Sequence, residues 1–209
     1  VPEGFSSWED WWRNSVTTFV SDLHDSMQVV KPFVRLSAAV LGRYNWGGWQ
    51  GYGTVYQDGA LWFNQGFVDQ LTPMHYHWTT PNGFAQMLQG SNESWLPYIQ
   101  EGVSDGRLFS VGPGSYILAD QNLWDNHTGI VNTVQDIEFV DGFQFFSNGT
   151  WEDYQYWQEA GNTFFQEKTI IRYLPEYEDT SSVTPSPECQ IEQLDELNYQ
   201  LNVTRNSQG

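Results

Sequence analysis

The segment 67–76, Phe-Val-Asp-Gln-Leu-Thr-Pro-Met-His-Tyr, decides the fold. It is a short, mostly apolar run with polar aromatic residues at its end, and helical spacing follows between Asn82 and Val103. An apolar strand that is followed by a helix is typical of a parallel sheet covered on both faces. The segment therefore predicts one unit of a β-strand and an α-helix.

The same unit is repeated before and after this segment. The predicted strands begin at intervals of roughly 35 residues, which is the length of a βα unit. The sequence therefore predicts an α/β protein with parallel strands. The strands are expected at 33–40, 67–76, 108–116 and 139–146, and the helices after them at 59–65, 82–103, 128–136 and 152–166.

A further helix is predicted before the first strand. Ser6 and Glu9 have the spacing of a capping box, in which Ser6 is the N-cap. Apolar residues then recur at helical spacing and form one stripe, and Lys31-Pro32 ends the helix because proline removes a backbone donor. The stripe consists of Trp12, Val16, Phe19, Val20, Leu23, Met27 and Val30.

The composition changes at Pro175, where acidic, Ser and Pro residues become frequent. We therefore expect one domain over residues 1–174 and a linker over 175–187. Tyr199, Leu201 and Val203 alternate with polar residues, which predicts a half-buried strand. Residues 188–209 are interpreted as the truncated beginning of a β-sandwich module.

The charge excludes several classes of partner. The 209-residue chain has 26 acidic and 8 basic residues and a formal net charge of −18. Such a surface repels nucleic acid and anionic membranes, and no apolar run reaches the ~18 residues of a transmembrane helix. Cys189 is the single cysteine, so an intrachain disulfide is not expected.

Aromatic residues are unusually frequent, at 17% of the chain. Buried aromatic rings stabilise any hydrophobic core, which is one explanation. Many of the Trp and Tyr residues, however, lie in polar, Gly-rich segments such as 42–49. Exposed rings beside polar groups suit the C–H faces of pyranose sugars, so the composition also favours a carbohydrate ligand.

Six motifs in a shared order resemble a bacterial family of secreted proteins and lipoproteins described as glycosyl-hydrolase-ten-like. The first two are Trp11-Trp12-Arg13-Asn14 with Val16, and Lys31-Pro32 to Gly42; the next are Gln57-Asp58 with Trp62 to Asp69, and Leu71 to Trp78; the last are Val111 to Tyr116, and Asp141 to Ser147. Met74 departs from the family pattern, which usually has Gln at this position.

The resemblance implies a (β/α)8 barrel of the TIM type, of which this chain would be the C-terminal half with strands five to eight. It implies an extracellular or cell-surface protein that acts on a polysaccharide or cell-wall glycan. The acidic "D-D-Y" motif of the family would then precede Val1. The missing N-terminal half of the same barrel is therefore an expected partner, and it is expected to carry the main catalytic carboxylates.

The active site of a barrel lies at the carboxyl ends of its strands. Asp69 and Asp141 begin their strands, so we expect them to be structural. The residues that follow the strands are the predicted substrate-binding residues. They are Arg43, Tyr44, Trp46, His75, Tyr76, Trp78, Tyr116 and Gln144.

Catalytic groups are scarce in this sequence. Glycoside hydrolysis usually needs two carboxyl groups, and no Asp or Glu ends the fifth, sixth or seventh strand. Glu152 and Asp153 suit the first turn of a helix, where they would favour the helix dipole. His75 is a weak catalytic candidate and an equally good core residue. His75 and His77 would face opposite sides of a strand and would not share a metal, so a metal site is not expected. No Gly-rich phosphate loop follows a strand, and no cofactor is expected.

Three functions remain open on this evidence. The chain is part of an active glycoside hydrolase, a catalytically inactive carbohydrate-binding protein, or a structural surface protein whose aromatic loops contact other proteins. Fold similarity does not decide among them.

Overall fold

The computed structural model describes residues 1–166 and two later strands, Glu188–Gln193 and Tyr199–Thr204. The chain divides into two compact units, Val1–Leu174 and Pro175–Gly209. The helices of the described residues are α1 (Trp8–Val30), α2 (Gly51–Thr54), α3 (Gly59–Asn64), α4 (Pro81–Gln89), α5 (Leu96–Ser104), α6 (Ser115–Asp120), α7 (Asn126–Gln135), α8 (Asn148–Asp153) and α9 (Trp157–Thr163). The strands are β1 (Ser37–Ala38), β2 (Gln70–Leu71), β3 (Leu108–Val111), β4 (Gly142–Phe143), β5 (Glu188–Gln193) and β6 (Tyr199–Thr204).

The first unit contains a parallel sheet with the strand order β1-β2-β3-β4. This confirms the predicted α/β class with parallel strands. The regular strands are shorter than predicted, although backbone bonds from the Thr72 N–H to the Ala38 carbonyl at 2.9 Å and from the Met74 N–H to the Val40 carbonyl at 2.8 Å extend the pairing past Leu71. The isolated bridges Leu41–Met74 and Gly114–Phe146 continue the alignment of neighbouring segments past the regular strands.

The two faces of this sheet differ in chemistry. Leu71 and Phe109 are completely buried in the hydrophobic core. Neighbouring residues along a strand point to opposite faces, so the other face carries Ser37, Gln70 and Ser110 together with Leu108. The Gln70 Nε2 atom donates to Ser110 Oγ at 2.8 Å. Crossovers between parallel strands are right-handed, so a sheet in chain order receives its helices on one face.

The two aspartates at the strand starts have the structural role that was predicted. Asp69 Oδ2 accepts a hydrogen bond from the Leu36 backbone N–H at 2.6 Å, ahead of β1. Asp141 Oδ2 accepts one from the Phe109 N–H at 2.9 Å, within β3. Each carboxylate therefore connects the start of its own strand to the preceding strand.

The helix α1 begins one residue later than predicted. Its N-cap is Ser7, whose extended backbone precedes the first helical residue and whose Oγ accepts from the Asp10 N–H at 3.0 Å. The prediction of Ser6 as N-cap was therefore wrong, whereas the predicted end before Lys31 is confirmed.

The single apolar stripe predicted for α1 is divided in the structure. Val16 and Val20 pack against the core, whereas the side chains of Phe19 and Val30 are 66% and 73% exposed. No residue of α1 is fully buried. The stripe is wider than the surface that the described core offers to it.

The segment after β4 forms two short helices, where one was predicted over 152–166. Ser147 is the N-cap of α8, and Gln155 has a φ of 51° between α8 and α9. A positive φ cannot continue a right-handed helix.

The second unit contains β5 and β6, which pair as an antiparallel hairpin with Cys189 opposite Val203. The strand that was expected around Tyr199 is thus present as β6. The linker expected over 175–187 lies outside the described residues, and the β-sandwich module stays a prediction.

Candidate functional site

Three aromatic rings meet at the carboxyl edge of the sheet, which is the end where the parallel strands finish. Tyr76 follows β2, Tyr116 lies in the first turn of α6, and Phe146 follows β4. Phe146 stacks on Tyr76 with the ring centroids 5.1 Å apart, and Tyr116 contacts both rings edge-on at 5.7 and 5.8 Å. We call these residues the aromatic triad. Its rings are partly exposed, and the side chain of Phe146 is 50% exposed.

Close backbone contacts bring the aromatic triad together. A Cβ atom on Gly114 would lie 2.8 Å from the Cα atom of Tyr76, so only glycine permits this approach. The Phe146 N–H donates to the Pro113 carbonyl at 3.0 Å, and the Tyr116 N–H donates to the Phe146 carbonyl at 3.4 Å. Burial, and secondarily the neighbouring Tyr116, raise the pKa of the Tyr76 hydroxyl. Tyr76 is therefore a neutral hydrogen-bonding group at physiological pH.

Tyr116 was predicted to end a strand, and this assignment was wrong. The regular strand ends at Val111, and Ser115 starts α6. The segment Gly112-Pro113-Gly114 turns the chain from strand to helix within three residues.

Arg43 and Trp78 form a second polar-aromatic pair after β1 and β2. The Arg43 guanidinium carbon lies 5.2 Å from the centre of the Trp78 ring, within the range of a cation–π contact. Its Nη1 atom donates to the Gly47 carbonyl at 2.6 Å. The guanidinium is therefore held between a ring and a loop.

Tyr44 and Trp46 were predicted to bind substrate, but the structure places both in the core. The Tyr44 hydroxyl donates to Asp58 Oδ1 at 2.6 Å, and burial together with this carboxylate raises the pKa of the hydroxyl. Trp46 stacks on Tyr98 with a centroid distance of 6.0 Å and contacts Trp95 edge-on. Their polar, Gly-rich segment folds back onto α5, which is why the pattern of an exposed loop contains buried rings.

His75 is also inside the core and has no exposed surface. Its ring lies among Phe84, Trp95 and Phe109, at centroid distances between 5.7 and 6.3 Å. Nδ1 accepts a long hydrogen bond of 3.4 Å from the Gly112 N–H, and Nε2 has no hydrogen-bond partner among the described residues. Burial lowers the pKa of the imidazole to about 3. The structure favours the core role of His75 over the catalytic one.

Gln144 is exposed next to β4, and its backbone N–H donates to the Val111 carbonyl at 2.8 Å. The predicted binding residues thus separate into two groups. Those at the carboxyl edge with accessible surface are Arg43, Tyr76, Trp78, Tyr116 and Gln144, and those inside the core are Tyr44, Trp46 and His75.

Residues 2–104 match the family model described as glycosyl hydrolase-like 10. This match confirms, over these residues, the family resemblance drawn from the sequence motifs. No protein in a search of curated proteins matches the chain. The matched residues include β1, β2 and the helices from α1 to α5, whereas Tyr116 and Phe146 lie beyond them.

Carboxyl groups are the groups that glycoside hydrolysis usually needs. The segments that follow the four strands, 39–46, 72–78, 112–116 and 144–148, contain no Asp or Glu. Asp58 is buried, but its carboxylate already accepts from Tyr44 and from the Leu61 N–H, at the start of α3. Within the described residues, no group of three or more His, Cys, Asp or Glu side chains can hold a metal ion.

The role predicted for Glu152 was wrong. Because α8 begins at Asn148, Glu152 and Asp153 lie in its last turn. Their carboxylates are therefore far from the positive, N-terminal end of the helix dipole and cannot stabilise it. Glu152 Oε1 instead accepts a hydrogen bond from Trp157 Nε1 at 2.8 Å.

A buried polar network near the aromatic triad was not anticipated. Ser115 Oγ lies 2.8 Å from His127 Nε2 and accepts from Trp151 Nε1 at 2.8 Å. His127 Nδ1 lies 2.8 Å from the Trp124 carbonyl, so Nδ1 carries the proton and Nε2 accepts from Ser115. Burial lowers the pKa of His127. The network joins α6, α7 and α8 directly beside Tyr116.

No helix among the described residues is long and apolar enough to span a membrane.

Proposed function

We propose that this chain binds a polysaccharide or cell-wall glycan at the carboxyl edge of its sheet, as the C-terminal half of a glycosyl hydrolase-like (β/α)8 barrel. The observation that carries the proposal is the aromatic triad. Its rings lie in the segments that follow three neighbouring strands, with Tyr116 in the first turn of α6, and a barrel binds its substrate at this edge. Apolar ring faces beside hydroxyl and amide groups match the alternating C–H and O–H surface of a sugar.

The half-barrel is supported by the shape and chemistry of the sheet. Parallel sheets are normally covered on both faces, whereas the face of Ser37, Gln70 and Ser110 is mostly polar, with Leu108 as the large apolar side chain among its paired residues. We infer that four further parallel strands from the N-terminal part of the same protein close the barrel over this face. The exposed side chains of Phe19 and Val30 on α1 would then pack against that half.

The length of the natural protein tests the half-barrel proposal. We expect its intact mass to exceed that of these 209 residues and the sequence before Val1 to contain the first three βα units of the barrel and its fourth strand. Carboxylates at the end of the strand before α1 would support hydrolysis. A native protein with the mass of this chain alone would contradict the half-barrel.

Glycan binding is tested by replacing rings of the aromatic triad in the full-length protein. We expect Phe146→Ala and Tyr76→Ala to weaken binding of oligosaccharides about 2- to 10-fold in isothermal titration calorimetry, since an aromatic contact contributes about 0.5–1.5 kcal/mol. Tyr154→Ala is the matched control. Tyr154 is 52% exposed and stacks on Trp124 at 4.3 Å, at the C-terminal end of α8. Equal loss in all three variants would contradict a site at the aromatic triad.

A catalytically inactive glycan-binding protein is the second proposal. It is favoured by the absence of Asp and Glu from the four segments that follow the described strands. Product analysis of the same oligosaccharides separates the two proposals: new reducing ends indicate hydrolysis, and binding without new reducing ends indicates an inactive barrel. We propose an extracellular or cell-surface location for either protein.

A further inference from the structure

We propose that Arg43 makes the site selective for a glycan that carries a carboxylate, such as a uronic acid. The proposal rests on the proposed glycan binding and names its substrate class. It is drawn from the geometry of the Arg43 side chain and from the charges around it.

The Arg43 guanidinium is held in place by surrounding groups. Trp78 lies below it at 5.2 Å, and Trp78 itself packs so tightly on Gly42 that a Cβ atom there would lie 3.0 Å from the Trp78 ring. The loop also approaches this group, since a Cβ atom on Gly48 would lie 3.6 Å from the guanidinium carbon. Gly48 has a φ of 95°, a conformation that favours glycine. The side chain is therefore ordered before any ligand binds, which lowers the entropic cost of binding.

The guanidinium has hydrogen-bonding capacity to spare. An arginine has five N–H donors in a fixed plane, and among the described residues one bond, from Nη1 to the Gly47 carbonyl, uses this group. The side chain is only partly buried. The remaining donors have the planar arrangement that binds a carboxylate through two parallel hydrogen bonds.

Arg43 has no acidic partner in the described part of the chain. Arg13 pairs with Asp10 and Arg107 with Asp105, whereas no described carboxylate lies within 4.0 Å of the Arg43 nitrogens. Glu93 reaches the same loop, 3.4 Å from the position of a Cβ atom on Gly47, without forming that ion pair. The chain has 26 acidic residues, yet none of the described ones pairs with Arg43. Because Arg43 is ordered and lies at the proposed sugar-binding edge, this points to a ligand that supplies the carboxylate.

The net charge restricts the acidic ligand. A chain of formal charge −18 repels a dense polyanion. This repulsion is long-range and is screened over about 8 Å at physiological salt, whereas a contact between Arg43 and one carboxylate is short. The structure therefore favours a glycan in which acidic sugars alternate with neutral ones.

The test compares acidic and neutral forms of the same oligosaccharide in the full-length protein. Suitable probes are a hyaluronan hexasaccharide and a glucuronic acid-substituted xylotetraose, each beside its carboxyl-reduced form. We expect the acidic form to bind about tenfold more tightly in calorimetry at 0.15 M salt, because a charge-assisted, partly exposed hydrogen-bonded pair contributes about 1.5 kcal/mol.

Variants assign this preference to Arg43. Arg43→Gln should bring the ratio of the two affinities, acidic form over carboxyl-reduced form, to about one, and Arg43→Lys should retain only part of the preference because the planar fork is lost. Lys31→Gln makes the same change of charge at the end of α1 and should retain the full preference. Equal binding of both forms by the wild type, or an unchanged preference in Arg43→Gln, would overturn this inference while glycan binding stands. If the protein binds neither form of either probe, and no oligosaccharide of a wider set, both proposals are overturned.

Discussion

The buried imidazole of His75 should make the protein less stable below pH 6.5. Its pKa is about 3 in the folded protein and about 6.5 in an unfolded chain. Between these two values the unfolded chain binds more protons than the folded one. The stability linked to the neutral ring is therefore fully present above pH 6.5 and is lost as the pH falls toward 3.

The magnitude follows from the pKa difference. Each pH unit below 6.5 lowers the free energy of unfolding by up to about 1.4 kcal/mol, so about 2 kcal/mol is lost by pH 5.0. His75→Leu has nearly the same volume and fits the apolar surroundings of the ring. At pH 7.5 it should change stability by less than about 1.5 kcal/mol, since it removes the unpartnered Nε2 but leaves the Gly112 N–H unpaired.

Urea unfolding at pH 7.5, 6.0 and 5.0 measures this effect in the wild type and in His75→Leu. The other titratable groups, including His127, are common to both proteins and cancel in the difference. We expect the free energy of unfolding of His75→Leu to exceed that of the wild type by about 2 kcal/mol more at pH 5.0 than at pH 7.5. A difference that stays constant with pH would refute a buried, neutral His75.

Two further predictions concern packing and the strand connections. Gly102→Ala should destabilise the protein by about 1–3 kcal/mol, because the new Cβ would lie too close to a ring carbon of Phe63. Gly161→Ala is the control: its Cβ meets nothing within 4 Å, so the variant should be neutral or stabilising by up to about 1 kcal/mol. A similar shift of the melting temperature in both would contradict this packing. Asp69→Ala should lower the free energy of unfolding in urea by about 1.5–3 kcal/mol, since the Leu36 N–H loses a charged acceptor. Asp69→Asn should recover part of this loss. Equal losses in the two variants would show that a neutral acceptor cannot replace the charged one.

The sequence predicted those elements whose signals are local. A serine cap and a proline stop place α1 within one residue, and the short helix predicted over 59–65 is found at Gly59–Asn64. The order of strands and helices followed from the repeated apolar runs. These features depend on neighbouring residues, so a single sequence is sufficient for them.

The site was harder to predict because it depends on distant contacts. Tyr44 and Trp46 follow β1 as binding residues would, yet their loop folds onto Trp95 and Tyr98 more than 45 residues later. Phe146 was not among the predicted substrate-binding residues, since an apolar residue at a strand end resembles core. The spacing of Gly114 from Tyr116 was the available signal, since a glycine beside a strand end marks a close backbone approach.

The order of the strands also has a consequence for how the protein assembles. Paired residues in neighbouring strands, such as Ser37 with Gln70 and Ser110 with Gly142, are 33 and 32 positions apart in the chain. Each strand therefore pairs with the unit that precedes it in the chain. The mean sequence separation of contacting residues, the relative contact order, stays low for a parallel sheet. Chains with such near-neighbour topology close short loops first and fold faster than those with long-range pairing. During synthesis, the units can dock one after another as they leave the ribosome.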